Sequence, residues 1–388
     1  MAHSIALPAR AQSRGVSLSA IPWYLWAAVI GVTSAMIGVH WDISWHRSIG
    51  RDTFWTPPHM AIYLCGIVAG ISSGYLILAT TFGKLPEVRP AAVRMWGFYG
   101  PLGAFVTAWG GIAMLVSAPF DDWWHNAYGL DVEILSPPHT VLAAGIAAIE
   151  IGALMLVLGY MNRAHGDERR RLSWLFLYVG SMIVVVTQVL TMEYTITVLQ
   201  HSAWFYLAIA IAVPTALIGV GIASGRRWGS TIAAAIYMVF TASLIWILPL
   251  FPAEPKLGPV LNPVTQFIPP GFPVLLIVPA FAIDLLRARW RGSNRWLQAA
   301  VLGSTFFVLF LAAQWWFANF LMTPAAANRF FGTIYLDYLT PPDSIEAGKI
   351  FVHPEHSFWT LMAIAWAVAI GTSRVGVGWG EWMRTVQR

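Results

Sequence analysis

The sequence is short of charge and almost without cysteine. Only 11% of its 388 residues are Asp, Glu, Lys or Arg, against about 25% in soluble domains. That is too little polarity to cover a chain of this size in water. The one cysteine, Cys65, lies inside an apolar run, which excludes a disulfide framework and a CxxC metal site and reads as a small core residue. Nucleotide signatures are missing too: there is no P-loop, no GxGxxG and no nucleophile elbow, so transport by an attached ATP-driven motor is unsupported. The net charge of +5 comes from basic clusters between apolar runs, and nothing in it suggests nucleic acid.

Apolar and aromatic residues are abundant. The chain is 57% hydrophobic, carries 21 tryptophans and has a mean hydropathy of +0.64, as expected for an integral membrane protein with aromatic belts at two interfaces. Continuous runs of about 20 residues, the length that crosses roughly 30 Å of hydrocarbon, lie near 21–39, 58–81, 95–119, 138–161, 173–198, 203–224, 229–250, 271–286, 297–321 and 357–373. The run at 271–286 is short and contains proline. Continuous apolarity, without alternation at every second residue, favours helices over a barrel. The expectation is an all-α bundle of about ten transmembrane helices: a tail over 1–20, a four-helix unit over 21–161 and a six-helix region over 162–388 with proline-rich outer loops. The first run has no small-residue cleavage site behind it and is expected to be a retained helix, not a signal peptide.

Loop charge predicts the orientation. When alternate loops are grouped, one side holds 18 of the 23 Lys and Arg, including Arg169–Arg171, Arg226–Arg227 and Arg287, Arg289, Arg291 and Arg295. The positive-inside rule then places both termini in the cytoplasm, in a cell inner membrane. Histidine is distributed the opposite way: of ten, only His3 and His165 fall on the cytoplasmic side. The periplasmic face is where chemistry is expected.

Residues 40–59 read HWDISWHRSIGRDTFWTPPH, and the pattern returns 79 residues later. Asp42, Trp45, His46, Gly50 and Asp52 fall on Asp121, Trp124, His125, Gly129 and Asp131; Pro57-Pro58-His59 falls on Pro137-Pro138-His139 with one residue inserted. Each copy ends one apolar run and starts the next, which predicts an internal helix-pair repeat in the first four spans. Asp and His four residues apart share one helix face, and a Pro-Pro pair is tolerated in the first turn of the following helix. A carboxylate and an imidazole from one helix can therefore meet an imidazole from the next. Such a set suits copper, zinc or iron, and spacing does not rank them. Competing explanations are interfacial polar side chains, paired haems, and an Arg51–Asp52 ion pair holding the loop.

These residues resemble a known family. Asp42-x-x-Trp45-His46, Arg51-Asp52-Thr53 and Thr56-Pro57-x-His59 look like the copper motif in the C-type subunit of the particulate methane and ammonia monooxygenases. Asp121-Asp122-Trp123-Trp124-His125 with Pro137-Pro138-His139 resembles that subunit's second metal cluster, with Asp121 where the family has asparagine. The resemblance covers roughly residues 35–145. It implies a copper-dependent oxidoreductase that activates O₂ to oxidise a small apolar substrate. Electrons would come from a quinol, and the chain would assemble with other monooxygenase subunits, as a homo- or hetero-trimer. It also implies ligands Asp42, His46 and His59 at one copper and Asp121, His125 and His139 at a second, with Trp45, Trp55, Trp123 and Trp124 walling the pocket. Family assemblies include a cupredoxin-like portion that is not recognisable here, and residues 200–388 align with none of their subunits. The alternative function is copper handling or transport without monooxygenase activity, which is weakened because the methionines that would hold Cu(I) are scattered.

Further residues are supporting candidates. His40, Arg51, Asp52, Asp122 and Asp131 lie within the motifs. Glu193 and His201, eight residues apart, are expected on one face of the fifth span as support for a cluster. Glu150 is an intramembrane carboxylate about three turns below His139, a functional candidate by default. His353 and His356 flank a carboxylate at the end of the longest outer loop. The proline-rich stretch at 251–270 is expected to cap the outer face.

Overall fold

The computed structural model describes residues 21–129, 136–258, 260, 264–290, 292–333 and 357–387. Its helices are α1 (Trp23–Ser48), α2 (Pro57–Thr81), α3 (Leu102–Tyr128), α4 (Pro137–Arg163), α5 (Gly166–Leu190), the single turn α6 (Met192–Thr195), α7 (Ala203–Ala223), α8 (Gly229–Ile247), α9 (Ile277–Arg289), α10 (Arg295–Leu321) and α11 (Phe358–Met383). Strands β1 (Val93–Met95) and β2 (Phe98–Gly100) form a small hairpin between α2 and α3. Among the described residues, nine helices are long and apolar enough to cross a membrane. The chain is an all-α, multi-pass membrane protein.

Several boundaries differ from the apolar runs, each for a local reason. Hydropathy starts the third run at residue 95, but Trp96 and Gly97 take positive φ at the hairpin turn, so α3 begins after Pro101. It then continues through Pro119 to Tyr128, carrying the second motif on helix. The fifth run extends to 198 by hydropathy, yet its helix stops at Leu190. There the Thr191 hydroxyl donates to the Thr187 and Gln188 carbonyls, offering the backbone an alternative to further helix. The last run ends near 373 by hydropathy, and its helix instead reaches Met383. Its glycines serve contact: a Cβ at Gly380 would stand 2.8 Å from the Gly219 carbonyl of α7.

The short run near 271–286 forms α9, 13 residues long. At 1.5 Å per residue it covers about 20 Å and does not span by itself. An extended, mostly buried segment over 267–276 precedes it, and non-helical backbone in such a place needs side-chain partners. Ser48 Oγ accepts from Ile268 N, the Ile268 carbonyl accepts from Ser44 Oγ, Tyr237 Oη accepts from Val274 N and Gln314 Oε1 accepts from Leu275 N.

α1 packs on α2, α3 on both α2 and α4, and α5 on α1, α4, α7 and α8; α11 lies along α7 and α10. One apolar core runs through all of these helices. α3 and α4 approach closely: a Cβ on Gly110 would lie 2.6 Å from the Gly145 carbonyl, and one on Gly103 2.6 Å from that of Gly152. Small residues let helices meet backbone to backbone in lipid.

Basic side chains gather at the end of the bundle away from the two motifs and close helix C-termini there. Arg89 donates to Thr80 O, Arg169 to Met161 O and Arg287 to Gly221 O, satisfying carbonyls that the last turns leave open. Asp284 of α9 does the reverse for α8. Its buried carboxylate accepts from Ser230 N, Thr231 N and Thr231 Oγ1, a negative charge at a helix N-terminus. Asp284→Ala is expected to destabilise the protein by about 2 kcal/mol, read as a lower thermal midpoint in detergent, with Asp284→Asn losing less. An unchanged midpoint in the alanine variant would contradict this capping role.

Candidate metal centre

The first motif is positioned by the end of α1 and the start of α2. α1 holds its helical path through residue 48, so Asp42 and His46 project from one face one turn apart. It stops at Ile49, and Gly50 then takes φ +100°. A side chain there would also meet the Gly258 carbonyl at 2.7 Å. That contact belongs to the proline-rich loop, which does cap this end of α1. Leu257 N and Gly258 N both donate to the Ile49 carbonyl, and Lys256 Nζ donates to the Val264 and Ser48 carbonyls. Trp45 Nε1 donates to the Arg51 carbonyl, turning the chain back so that α2 starts on Pro57-Pro58 with His59 in its first turn.

Four polar side chains converge here. His59 Nε2 lies 3.4 Å from Asp42 Oδ1 and 3.1 Å from Asp52 Oδ2; His46 Nε2 lies 3.8 Å from Asp42 Oδ2 and 3.5 Å from Asp52 Oδ2. Asp52, expected only as support, belongs to the cluster itself, and Asp42, His46 and Asp52 offer ligand atoms within 4.8 Å of one another. The Arg51–Asp52 ion pair that competed as an explanation does not form; Arg51 is exposed while Asp52 turns to the histidines. Burial by itself would raise the Asp52 carboxyl, but hydrogen bonds and charge from His46 and His59 hold it well below the usual carboxylate range.

The second motif is built alike from α3 and α4. His125 Nε2 lies 3.5 Å from Asp121 Oδ2, and His139 Nε2 lies 3.4 Å from Asp121 Oδ1. Ser136 caps α4 and accepts from the His139 backbone N–H, fixing that imidazole in the first turn. Asp121, His125 and His139 form the second set within 4.8 Å. The two clusters are electrostatic neighbours: Asp121 feels Asp52 and His59, and the Tyr63 phenol feels Asp42, Asp52, Asp121 and Asp122. Sequence reading missed Tyr63, although its place one turn after His59 was a usable signal; its ring lies 5.9 Å from that imidazole.

The donor sets fit a metal ion. Ligands about 2.0–2.2 Å from a metal stand roughly 3–4 Å apart from one another, and the carboxylate–imidazole distances fall in that range. Moreover, Asp42 Oδ1 and Asp121 Oδ1 are buried without a hydrogen-bond donor, although each faces an imidazole at 3.4 Å. A protonated imidazole or a metal ion can complete such an oxygen. Two imidazoles with one or two carboxylates suit copper, zinc or iron. Asp52→Asn tests Asp52 as a ligand: a metal affinity lower by more than about 100-fold at the first cluster alone is expected, since losing only a partner of a ligand costs about 10- to 100-fold, measured by metal titration. Unchanged affinity would return Asp52 to a loop-orienting role.

The remaining candidates lie elsewhere. His40 is buried on another face of α1, with Nδ1 bonded to the Met36 carbonyl. Asp122 is exposed and accepts from Asn126. Glu150 is buried in α4 with Oε1 lacking a hydrogen-bond partner. Glu193 and His201 do not share a helix face, because α5 ends between Gln188 and Glu193; Glu193 falls on α6, and His201 stacks edge-on against Trp315 of α10. Trp55 and Trp123 are exposed, Trp45 packs on Phe267, and Trp124 packs against Phe120, Trp123 and Tyr128. Asp131, His353 and His356 lie outside the described residues. Comparisons with known protein families, curated proteins and solved structures give no match to this chain.

Proposed function

We propose that this chain is a copper-binding membrane oxidoreductase related to the C-type subunit of the methane and ammonia monooxygenases, which uses its two clusters to activate O₂ for oxidation of a small apolar substrate. The observation that carries this reading is the pair of carboxylate–imidazole sets, Asp42, His46, Asp52 and His59 where α1 meets α2 and Asp121, His125 and His139 where α3 meets α4, with carboxylate–imidazole distances of 3.1 to 3.8 Å. Asp42, His46, Asp52 and His59 would hold one ion, and Asp121, His125 and His139 the other. Bound copper supplies one-electron redox chemistry toward O₂. The chain's own part is to fix the imidazoles from two helices at once and to set carboxylate charge against them.

The clusters belong on the periplasmic side of an inner membrane in this reading, with both termini cytoplasmic. The support is that the arginine-rich helix ends lie at the opposite end of the bundle. The segment 267–289, extended and then helical, would serve as a tenth, broken crossing and keep the number of spans even. The matched build of α1–α2 and α3–α4 supports a repeated helix pair. A quinol would donate electrons, and further monooxygenase subunits would complete a trimer.

The test is metal analysis with electron paramagnetic resonance on purified protein, followed by O₂ consumption with a quinol donor and small hydrocarbons or ammonia. Copper near one or two ions per chain with a type 2 signal and substrate-dependent O₂ uptake is expected. Stably folded protein that takes up no metal would overturn the reading. Copper retained without O₂ uptake would favour copper handling.

A further inference from the structure

Far from the clusters, α11 carries an arginine inside its apolar run. Arg374 stands nine residues, about 13 Å, before the end of the helix at Met383, and a charged side chain at that depth needs a partner. Among the described residues no carboxylate forms an ion pair with it, and its Nε is buried without a hydrogen-bond acceptor. The one acid of α11, Glu381, is already taken by Arg295 of α10 at 2.6 Å. Arg295, Arg374 and Glu381 together leave one positive charge uncompensated.

The Arg374 side chain runs toward the arginine-rich end of the bundle. Side chains on a helix normally lean toward its N-terminus. Yet a Cβ at Gly378, one turn nearer the C-terminus, would stand 3.1 Å from Arg374 Nη1. That reversed lean is what snorkelling toward a polar boundary produces. Trp296 of α10 flanks the guanidinium, its ring centroid 5.5 Å from Cζ, and is itself 61% exposed. The two helices meet in order along a groove: Trp366 Nε1 donates to Ser304 Oγ deepest, Trp296 meets Arg374 next, and Arg295 meets Glu381 at the end. A Cβ at Gly371, on the Arg374 face one turn deeper, would meet no atom within 4 Å, so the groove stays open below the guanidinium.

This combination selects one ligand chemistry. A guanidinium offers paired donors that match phosphate oxygens, and the space beneath it is apolar. A free anion would leave that apolar floor uncovered, and a zwitterionic head group brings its own cation to the site. A phosphodiester of net charge −1 on a diacyl chain meets both demands. We propose that the α10–α11 groove binds one anionic phospholipid, with its phosphate on Arg374 and an acyl chain along Gly371. The site is independent of the metal clusters and of the function proposed for them.

The experiment is native mass spectrometry of the full chain released from phosphatidylcholine nanodiscs doped with dioleoylphosphatidylglycerol, repeated with inorganic phosphate added. The parent is expected to retain phosphatidylglycerol in preference to phosphatidylcholine, and Arg374→Gln to lose one such lipid per chain through binding about tenfold weaker. Gly378→Ala, whose Cβ would crowd Nη1, should weaken binding by a smaller factor. In phosphatidylcholine alone both variants should match or exceed the parent's thermal midpoint, because one loses an unpaired charge and the other a glycine inside a helix. Arg227→Gln is the control: Arg227 is also exposed at this end and lies over a tryptophan, and its loss should leave retention at the parent level. Equal retention in Arg374→Gln and the parent, equal losses in Arg374→Gln and Arg227→Gln, or no preference over phosphatidylcholine overturns the proposal. So does displacement of the lipid by inorganic phosphate, which would make this a free-anion site. A lower midpoint for Arg374→Gln in phosphatidylcholine alone would reveal a protein partner for the guanidinium and overturn it as well.

Discussion

Replacing His59 with alanine is expected to strip the first cluster of its metal and leave the second loaded. His59 is the imidazole nearer to both carboxylates, at 3.4 Å and 3.1 Å, and it comes from α2 while Asp42 and His46 come from α1. Its loss therefore removes a ligand and the link between helices together. Because disturbing a partner of a ligand already costs about 10- to 100-fold in affinity, loss of a ligand itself should exceed roughly 100-fold. Metal analysis should show about one equivalent fewer per chain. His139→Ala should empty the other cluster by the same reasoning. If either substitution leaves both equivalents in place, the ligand assignment is wrong.

A larger structural effect is expected far from any ligand. Gly110→Val would place its Cβ 2.6 Å from the Gly145 carbonyl and 2.8 Å from Ile149 N. These are backbone atoms of α4 that cannot swing aside, so the two helices must part. Overpacking of this kind costs typically 1–3 kcal/mol. The second cluster takes Asp121 and His125 from α3 but His139 from α4, so separating the helices also spreads its ligands. Gly110→Val should lower the thermal midpoint and empty the second cluster while the first keeps its metal, because α1 and α2 do not pass through this contact. Gly110→Ala should do the same to a smaller degree. Full occupancy of the second cluster in the valine variant would show that its geometry does not depend on α3–α4 contact.

Much of the candidate site was legible from spacing. Asp42 with His46, and Asp121 with His125, are one turn apart and needed only a helix to share a face. His59 and His139 follow Pro-Pro pairs that fix where the next helix starts. What spacing could not supply was the path of the loops. Asp52 carried no periodic signal because it lies on neither helix; it joins the cluster only because Trp45 and the 251–258 loop fold residues 49–56 back over the end of α1. Glu193 and His201 failed for the opposite reason: hydropathy continues across Leu190 while the helix does not, and an i,i+8 argument holds only on unbroken helix.

By itself the sequence determined the class of the protein, the existence of its long apolar helices and the Asp/His/His spacing of both motifs. These follow from hydropathy and from helical periodicity, which are local along the chain. The tertiary structure alone decided that Asp52 joins His46 and His59, that the two clusters lie within electrostatic reach of each other, and that Arg374 is left without an ion-pair partner among the described residues. Those outcomes depend on how closely glycine-lined helices approach and on which side chains complete the extended 267–276 backbone, and such contacts join residues as many as 224 positions apart.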